Sequence, residues 1–355
     1  MAISQLSLTD FRNLRSTTLD FDSGLNLVCG DNGSGKTSML EAIFVLCQAQ
    51  SFRTHQLKQC VNRDKNGFLL FGRFHGHKAG ISKNEQKLEI HVDGEVVKRR
   101  SDLVRRAPIN IVNANSFELI DGAPQNRRRF LDWCLFHVEP DYADQWVAFQ
   151  HALRQRNRLL KSRRDLKTLD YWDEHLLAPS LEISRMRRHY SEALEKIVHT
   201  ELAELVDGLE LGLEYRPGWG ARRLADTLRR NRERDLHAGF TQYGIHRDDL
   251  RFESEQKLAS EVLSRGQGKR LCLALLIGLL KLVGRAGQKQ IILLIDDLHS
   301  ELDLAAQTHI YQQLGGLDLQ LFVSNIEARF PAAFDAKDVK MFHVEHGIIK
   351  PRNFS

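Results

Sequence analysis

The sequence predicts an α/β protein in two pieces: a head built on a parallel sheet with a small antiparallel sheet, interrupted by an inserted helical arm. Three observations carry this. The strand-like run "GLNLVC" ends in the glycine-rich turn "GDNGSGKT" and passes into "KTSMLEAIFVLCQ", a strand, loop and helix in sequence. Far downstream, "QIILLIDD" places five apolar residues in a row, Ile291 to Ile295, which suits a strand buried on both faces of a parallel sheet. Between them, residues 121–235 are glycine-poor and rich in Arg, Leu and Glu at helical spacing.

Taken in order, residues 3–29 alternate as strands. After the glycine turn, Met39, Leu40, Ile43, Phe44 and Cys47 fall on one face of a helix. "GFLLFGRF" and "KLEIHVDGEVVKRR" read as strands, the second a hairpin, because Asp93-Gly94 readily takes the positive φ angles of a tight primed turn. The helical stretch is expected to break near Pro140, near Pro179 and at "RPGWG". The chain then returns through "FTQYGIHRDDLRFE", "LSRGQGKR" and an apolar helix to the buried strand. The predicted domains are therefore a discontinuous head, 1–120 with 236–355, and an arm, 121–235.

Composition narrows the class. At 355 residues and 42% hydrophobic, the chain can bury a sizeable core. Its longest apolar run, Leu271 to Val283, is interrupted by Lys281 and is too short to span a bilayer. With no secretory pattern at the N-terminus, a cytoplasmic protein without a membrane partner is expected. Five cysteines, an odd number with no C-x-x-C pair, read as reduced core residues rather than disulfides or a zinc site. The net charge of +5 permits a polyanionic partner and decides little alone.

"GDNGSGKT" (Gly30, Asp31, Asn32, Gly33, Ser34, Gly35, Lys36, Thr37) fits the phosphate-binding pattern G-x-x-x-x-G-K-[ST] in its required context, after a strand and before a helix. Its glycines let backbone N–H groups curl around phosphate oxygens at a helix N-terminus. Lys36 is assigned to the β- and γ-phosphates of ATP and the Thr37 hydroxyl to Mg²⁺. Asp296, at the C-terminal edge of the buried strand, is assigned to the metal. Asp297 is assigned the carboxylate that polarises the attacking water. In "LSRGQ", Ser264 offers a hydroxyl, Arg265 stands where a glycine is common, Gly266 permits close approach to a phosphate, and Gln267 opens an apolar helix. Ser264 and Gln267 equally suit a helix cap.

This order of motifs, closed by "SELD" (Ser300 to Asp303), resembles ABC- and SMC-type ATPases, in which the signature of one protomer completes the nucleotide site of a second. Ser324 follows "LQLFV" where transporter-type relatives often carry a switch histidine, and the Q-loop equivalent falls in "NANSFEL". More specifically, "LTDFRNLRSTTLDF", "GDNGSGKTSMLEAI", "ELIDGAPQNRRRFLDW", "GIHRDDL", "LSRGQGKR" and "LLIDDLHSELD" resemble the bacterial RecF family across nearly the whole chain. Ile245 stands where that family's pattern has proline. The resemblance implies an ATP-dependent homodimer with weak ATPase activity that binds single-stranded and gapped or junction duplex DNA. It also implies cooperation with RecR in loading RecA during gap repair and replication restart, supporting SOS induction.

For DNA, the residues themselves offer Arg154, Arg156, Arg158, Lys161, Arg163 and Arg164, opposed within 154–167 only by Asp165. Such a cluster suits phosphate contacts. Yet 121–235 as a whole carries 21 Lys/Arg and 20 Asp/Glu, so a solvated helical face remains the alternative. Two other classes, a transporter nucleotide-binding subunit and an SMC-like chromosome ATPase, fit the length of the insertion less well. It exceeds a transporter's compact helical subdomain and falls short of an SMC arm's heptads.

Overall fold

The structure is a computed structural model that describes residues 2–205, 210–254, 256–286, 290–298, 302–327, 334 and 339–352. The chain divides into two compact units, residues 1–116 with 284–355, and residues 117–283.

The first unit contains two six-stranded sheets. One is antiparallel: β1 (Ile3–Thr9), β2 (Thr17–Asp20), β4 (Gly67–Phe74), β5 (His77–Asn84), β6 (Leu88–Val92) and β7 (Glu95–Val96), in the order β2-β1-β4-β5-β6-β7. Between β6 and β7, Asp93 and Gly94 take φ of 53° and 89°, the primed turn expected from the sequence. The other sheet runs β15-β14-β3-β13-β12-β8. Its strands β3 (Leu25–Cys29), β8 (Ile109–Val112), β12 (Ile291–Asp296), β13 (Leu319–Asn325) and β14 (Val339–Glu345) are mutually parallel, and β15 (Ile348–Arg352) is antiparallel at the edge. β12 is buried from Ile291 to Ile295, as a parallel strand covered on both faces must be.

The helix Lys36–Gln48 packs on both sheets and is buried nearly all round, with only Thr37 and Phe44 half-exposed. The single apolar face expected from the sequence is thus too narrow, since a helix between two sheets has no solvent side. Gln320, fully buried, joins the sheets: its Nε2 donates to the Ile3 carbonyl at 2.7 Å and its Oε1 accepts the Ile3 N–H at 2.7 Å.

The second unit holds the helices Pro124–Val138, Tyr142–Ser162 and Leu169–Leu205, a three-stranded sheet, and most of the helix Arg265–Arg285. The sheet pairs β9 (Gly212–Arg216), β10 (Asp249–Ser254) and β11 (Lys257–Leu258) in the order β11-β10-β9. The predicted break near Pro140 is present. The break near Pro179 is absent, because the helix Leu169–Leu205 continues through it. Antiparallel packing along Tyr142–Ser162 outweighs the lost backbone hydrogen bond.

The arm boundary also differs from the expected 235: the second unit extends to Val283. β9 pairs with β10 across that point, and Arg187 donates to the Ile245 carbonyl and to Asp248, each at 2.7 Å. Gly278 lies so close to the long helix that a Cβ there would meet Leu194 Cδ1 at 2.9 Å. All five cysteines are buried and free, as expected. No helix among the described residues is long and apolar enough to cross a membrane.

Candidate nucleotide-binding site

β3 delivers the loop Gly30–Thr37 at its C-terminal end. Gly30, Gly33 and Gly35 have φ of 152°, 79° and 124°. At Gly30 contact also forbids a side chain, since a Cβ would lie 2.2 Å from the Val344 carbonyl oxygen. At Gly33 space is open and the backbone conformation alone demands glycine. The turn after β14 braces the loop from behind, the Gly347 N–H donating to the Ser34 carbonyl at 2.9 Å.

Lys36 is buried, its Nζ donating to the carbonyls of Gly30 at 2.7 Å and Asp31 at 2.9 Å. The buried Ser34 Oγ has no hydrogen-bond partner among the described residues. An ammonium and an unspent hydroxyl inside a curl of backbone fit a phosphate group. Thr37 Oγ1 donates to the Asp296 carboxylate, 2.9 and 3.1 Å from its two oxygens. That uses the hydroxyl proton and leaves the oxygen lone pairs for a cation. Hydroxyl and carboxylate oxygens are hard donors, which suits Mg²⁺ held mainly by phosphates and water. No group of three or more His, Cys, Asp or Glu that could hold a metal ion occurs among the described residues.

Ser324 lies in the same place. Its Oγ donates to Asp296 Oδ1 at 2.7 Å and accepts the Asp297 N–H at 3.0 Å. It therefore fixes the first carboxylate and holds the backbone of Asp297, which is left-handed at φ 55°. Lys36, Thr37, Asp296, Asp297 and Ser324 all line one cavity of about 790 Å³.

The same cavity is lined by residues for which the sequence reading assigned no role: Arg12, Arg53 and Arg63. Arg12 is aimed by Glu41, a fully buried carboxylate on the P-loop helix, through bonds of 2.9 and 2.6 Å. Burial alone would raise the Glu41 carboxyl, but hydrogen bonds from Arg12 and Ser51 and the charges of Arg12 and Arg53 outweigh it and hold it below the usual range. The available signal was a charged residue inside an otherwise apolar helical turn, "MLEAI".

"LSRGQ" belongs to the second unit. Ser264 Oγ accepts the Gln267 N–H at 3.3 Å, and Gln267 Oε1 accepts the Ser264 N–H at 3.0 Å, a capping box at the head of Arg265–Arg285. The cap uses Ser264 as an acceptor, so its proton stays available to an anion. Ser264, Arg265 and Gly266 are exposed, and nothing lies within 4 Å of a Cβ built on Gly266. A cavity of about 490 Å³ beside this turn is lined by Phe117, Ser260, Ser264, Arg265 and Lys269. The stretch Asn113 to Leu119 crosses the boundary between the units. Ser300 and Glu301 of "SELD" lie outside the described residues, while Asp303 caps the helix Leu304–Gly315 by accepting the Ala306 N–H at 2.8 Å.

On the arm, Arg154, Arg158, Lys161, Arg163 and Arg164 are exposed. Arg156 contradicts its assignment to DNA. It is wholly buried, its Nε 2.6 Å from Asp173 and its Nη1 2.7 Å from Asp235 and 2.8 Å from Thr241 Oγ1. Its helical position faces inward with Phe149, Ala152 and Leu160, so its charge is used within the arm.

A P-loop unit with a parallel sheet, an antiparallel sheet and a helical unit carrying a signature turn defines an ABC/SMC-type ATPase head with an inserted arm. The family described as "RecF/RecN/SMC N terminal domain" matches residues 2–350. The chain is 39% identical to the DNA replication and repair protein RecF of Stutzerimonas stutzeri, over 98% of this chain and 97% of that one. The structure of the recombination mediator protein RecF-ATP in the RecFOR pathway superposes with a TM-score of 0.88 at 25% identity, covering 99% of this chain and 97% of the other. A structure of the SmcHead bound to the C-winged helix domain of ScpA shares the fold, with a TM-score of 0.60 at 14% identity, covering 100% and 98%. The chain belongs to the RecF family of DNA replication and repair proteins.

Proposed function

We propose that this protein binds ATP and Mg²⁺ in the P-loop cavity, that ATP joins two copies, and that the dimer acts on gapped or junction DNA in recombinational repair. The observation that carries the reading is the convergence of Lys36, Thr37, Asp296, Asp297 and Ser324 on one cavity. Lys36 would exchange the carbonyls of Gly30 and Asp31 for β- and γ-phosphate oxygens. Thr37 and Asp296 would hold Mg²⁺, which supplies charge neutralisation at the phosphates when bound. Asp297, exposed at the strand end, would orient a water.

The signature turn supports a shared site. Ser264 keeps a free proton and Gly266 an open approach, at a helix N-terminus that favours an anion. Each copy would thus close its partner's nucleotide site, and slow hydrolysis would reopen the dimer. The exposed arm cations Arg154, Arg158, Lys161, Arg163 and Arg164 would contact DNA phosphates without reading sequence. Cooperation with RecR in loading RecA, and support of SOS induction, complete the proposal on the strength of family membership.

The test is Lys36→Ala. Removing the one buried ammonium in the loop should weaken ATP binding and abolish ATP-dependent dimerisation in light scattering. Dimerisation at wild-type ATP concentrations would refute the reading.

A further inference from the structure

The arm carries a cluster of rings on its outer side. Tyr171 lies over His175 with ring centroids 3.9 Å apart, and Trp172 meets Tyr171 edge-on at 5.1 Å, His175 at 5.9 Å and His151 at 5.3 Å. The inward positions of this helix are filled by Leu169, Leu176 and Ile183, all fully buried. Trp172 packs against that core, while Tyr171, His151 and His175 lie exposed outside it. Tyr171 is 52% exposed, His151 and His175 are exposed, and Trp172 is half-buried. The arrangement is ordered, because the His175 Nδ1 is 2.8 Å from the Tyr171 carbonyl.

The charge beside the rings is positive. Arg154 and Arg158 follow His151 by three and seven residues, so they share its exposed helical face. The acidic groups nearby are mostly engaged: Asp173 is paired with Arg156 and Arg232, and Asp170 with Arg232. Within residues 171–175, which carry the rings of this helix, Glu174 is the exposed acid left. Exposed rings flanked by unneutralised arginines are what a flexible polyanion with flat apolar bases requires, since bases stack on rings while phosphates meet cations. A duplex, its bases already stacked on each other, would use only the arginines.

We propose that Tyr171, Trp172, His175 and His151 form a stacking platform for unpaired bases of single-stranded DNA, with Arg154 and Arg158 holding the phosphates of the same strand. This deepens the proposed DNA-binding function and rests on it. It would let the arm distinguish a single-stranded gap from intact duplex.

The experiment compares binding of oligo(dT), a gapped duplex and a continuous duplex of equal length to the full chain. Tyr171→Ala should weaken oligo(dT) and gapped-DNA binding roughly five- to a hundredfold, the range expected for one lost base stack, and leave the continuous duplex unchanged. Tyr171→Phe keeps the ring and should bind all three as wild type. Arg154→Glu with Arg158→Glu should weaken binding to all three. If Tyr171→Ala binds everything normally while the arginine double variant does not, the platform is wrong and the arm surface stands. If neither set changes anything, both are wrong. Equal loss of Tyr171→Ala on single strand and duplex would also overturn the stacking role.

Discussion

Arg156 and Arg158 are two residues apart on one helix, and their replacement should have opposite consequences. Arg156 and Asp235 are both fully buried, with Asp173 at 13% exposure completing the cluster. Burial already raises the Asp235 carboxyl, with Arg156 opposing that shift. Arg156→Ala would strand this carboxylate without its cation. Breaking a buried pair from one side costs about 3–5 kcal/mol. Arg158→Ala, at an exposed site, should stay within about 0.5 kcal/mol of wild type. Urea unfolding followed by tryptophan fluorescence is a suitable assay, because all four tryptophans, Trp133, Trp146, Trp172 and Trp219, lie in the arm unit. With urea m-values of about 1–3 kcal/mol/M, Arg156→Ala should lower the midpoint by about 1 M or more. Arg158→Ala should instead keep the midpoint and reduce the salt slope of DNA binding by about one. A wild-type midpoint for Arg156→Ala would refute the inward placement of this charge.

Two further outcomes follow from the geometry. Asp297→Asn should retain ATP binding while hydrolysis falls, because an amide fits the same space but polarises water poorly; unchanged turnover in a phosphate-release assay would remove Asp297 from that role. Burial, reinforced by Arg247, Arg128 and Arg156 and opposed by the Thr241 carbonyl, pushes His246 down to about 4. Its depressed value leaves stability intact above an unfolded pKa of about 6.5 and removes it as pH falls toward 4, about 2 kcal/mol by pH 5. Urea titrations at pH 7 and pH 5 should show this extra loss in wild type and not in His246→Gln; equal losses would contradict it.

The nucleotide loop was legible because its chemistry is local: eight consecutive residues state the glycines, the lysine and the hydroxyl. β12 was legible because burial on both faces leaves an uninterrupted apolar run. Relationships closed by distant partners were not. β9 and β10 lie on either side of residue 235 and pair across it, which no local composition reveals. Arg12 gains its place from Glu41, and Arg156 from Asp173 and Asp235. For Arg156 a signal did exist, in its phase with Ala152 and Leu160, four residues on either side. A count of charges conceals it, whereas a helical projection displays it. The Ser264 cap shows the converse case: two readings of one sequence pattern are compatible, since a hydroxyl can accept from its helix and donate to an anion.

The central claim, that Ser264 serves the nucleotide of a second copy, is tested most directly by mixing two inactive variants, Lys36→Ala and Ser264→Arg. Losing the Ser264 cap should cost only about 1 kcal/mol, so both chains should remain folded. With tagged co-purification showing that mixed dimers form, a shared site predicts that ATPase activity returns on mixing. One intact P-loop then meets one intact signature, and recovery is partial because the second site of each mixed dimer carries both lesions and weakens the pairing. If each chain used its own Ser264, every site in every dimer would carry a lesion, and mixed dimers with no recovered activity would contradict the account.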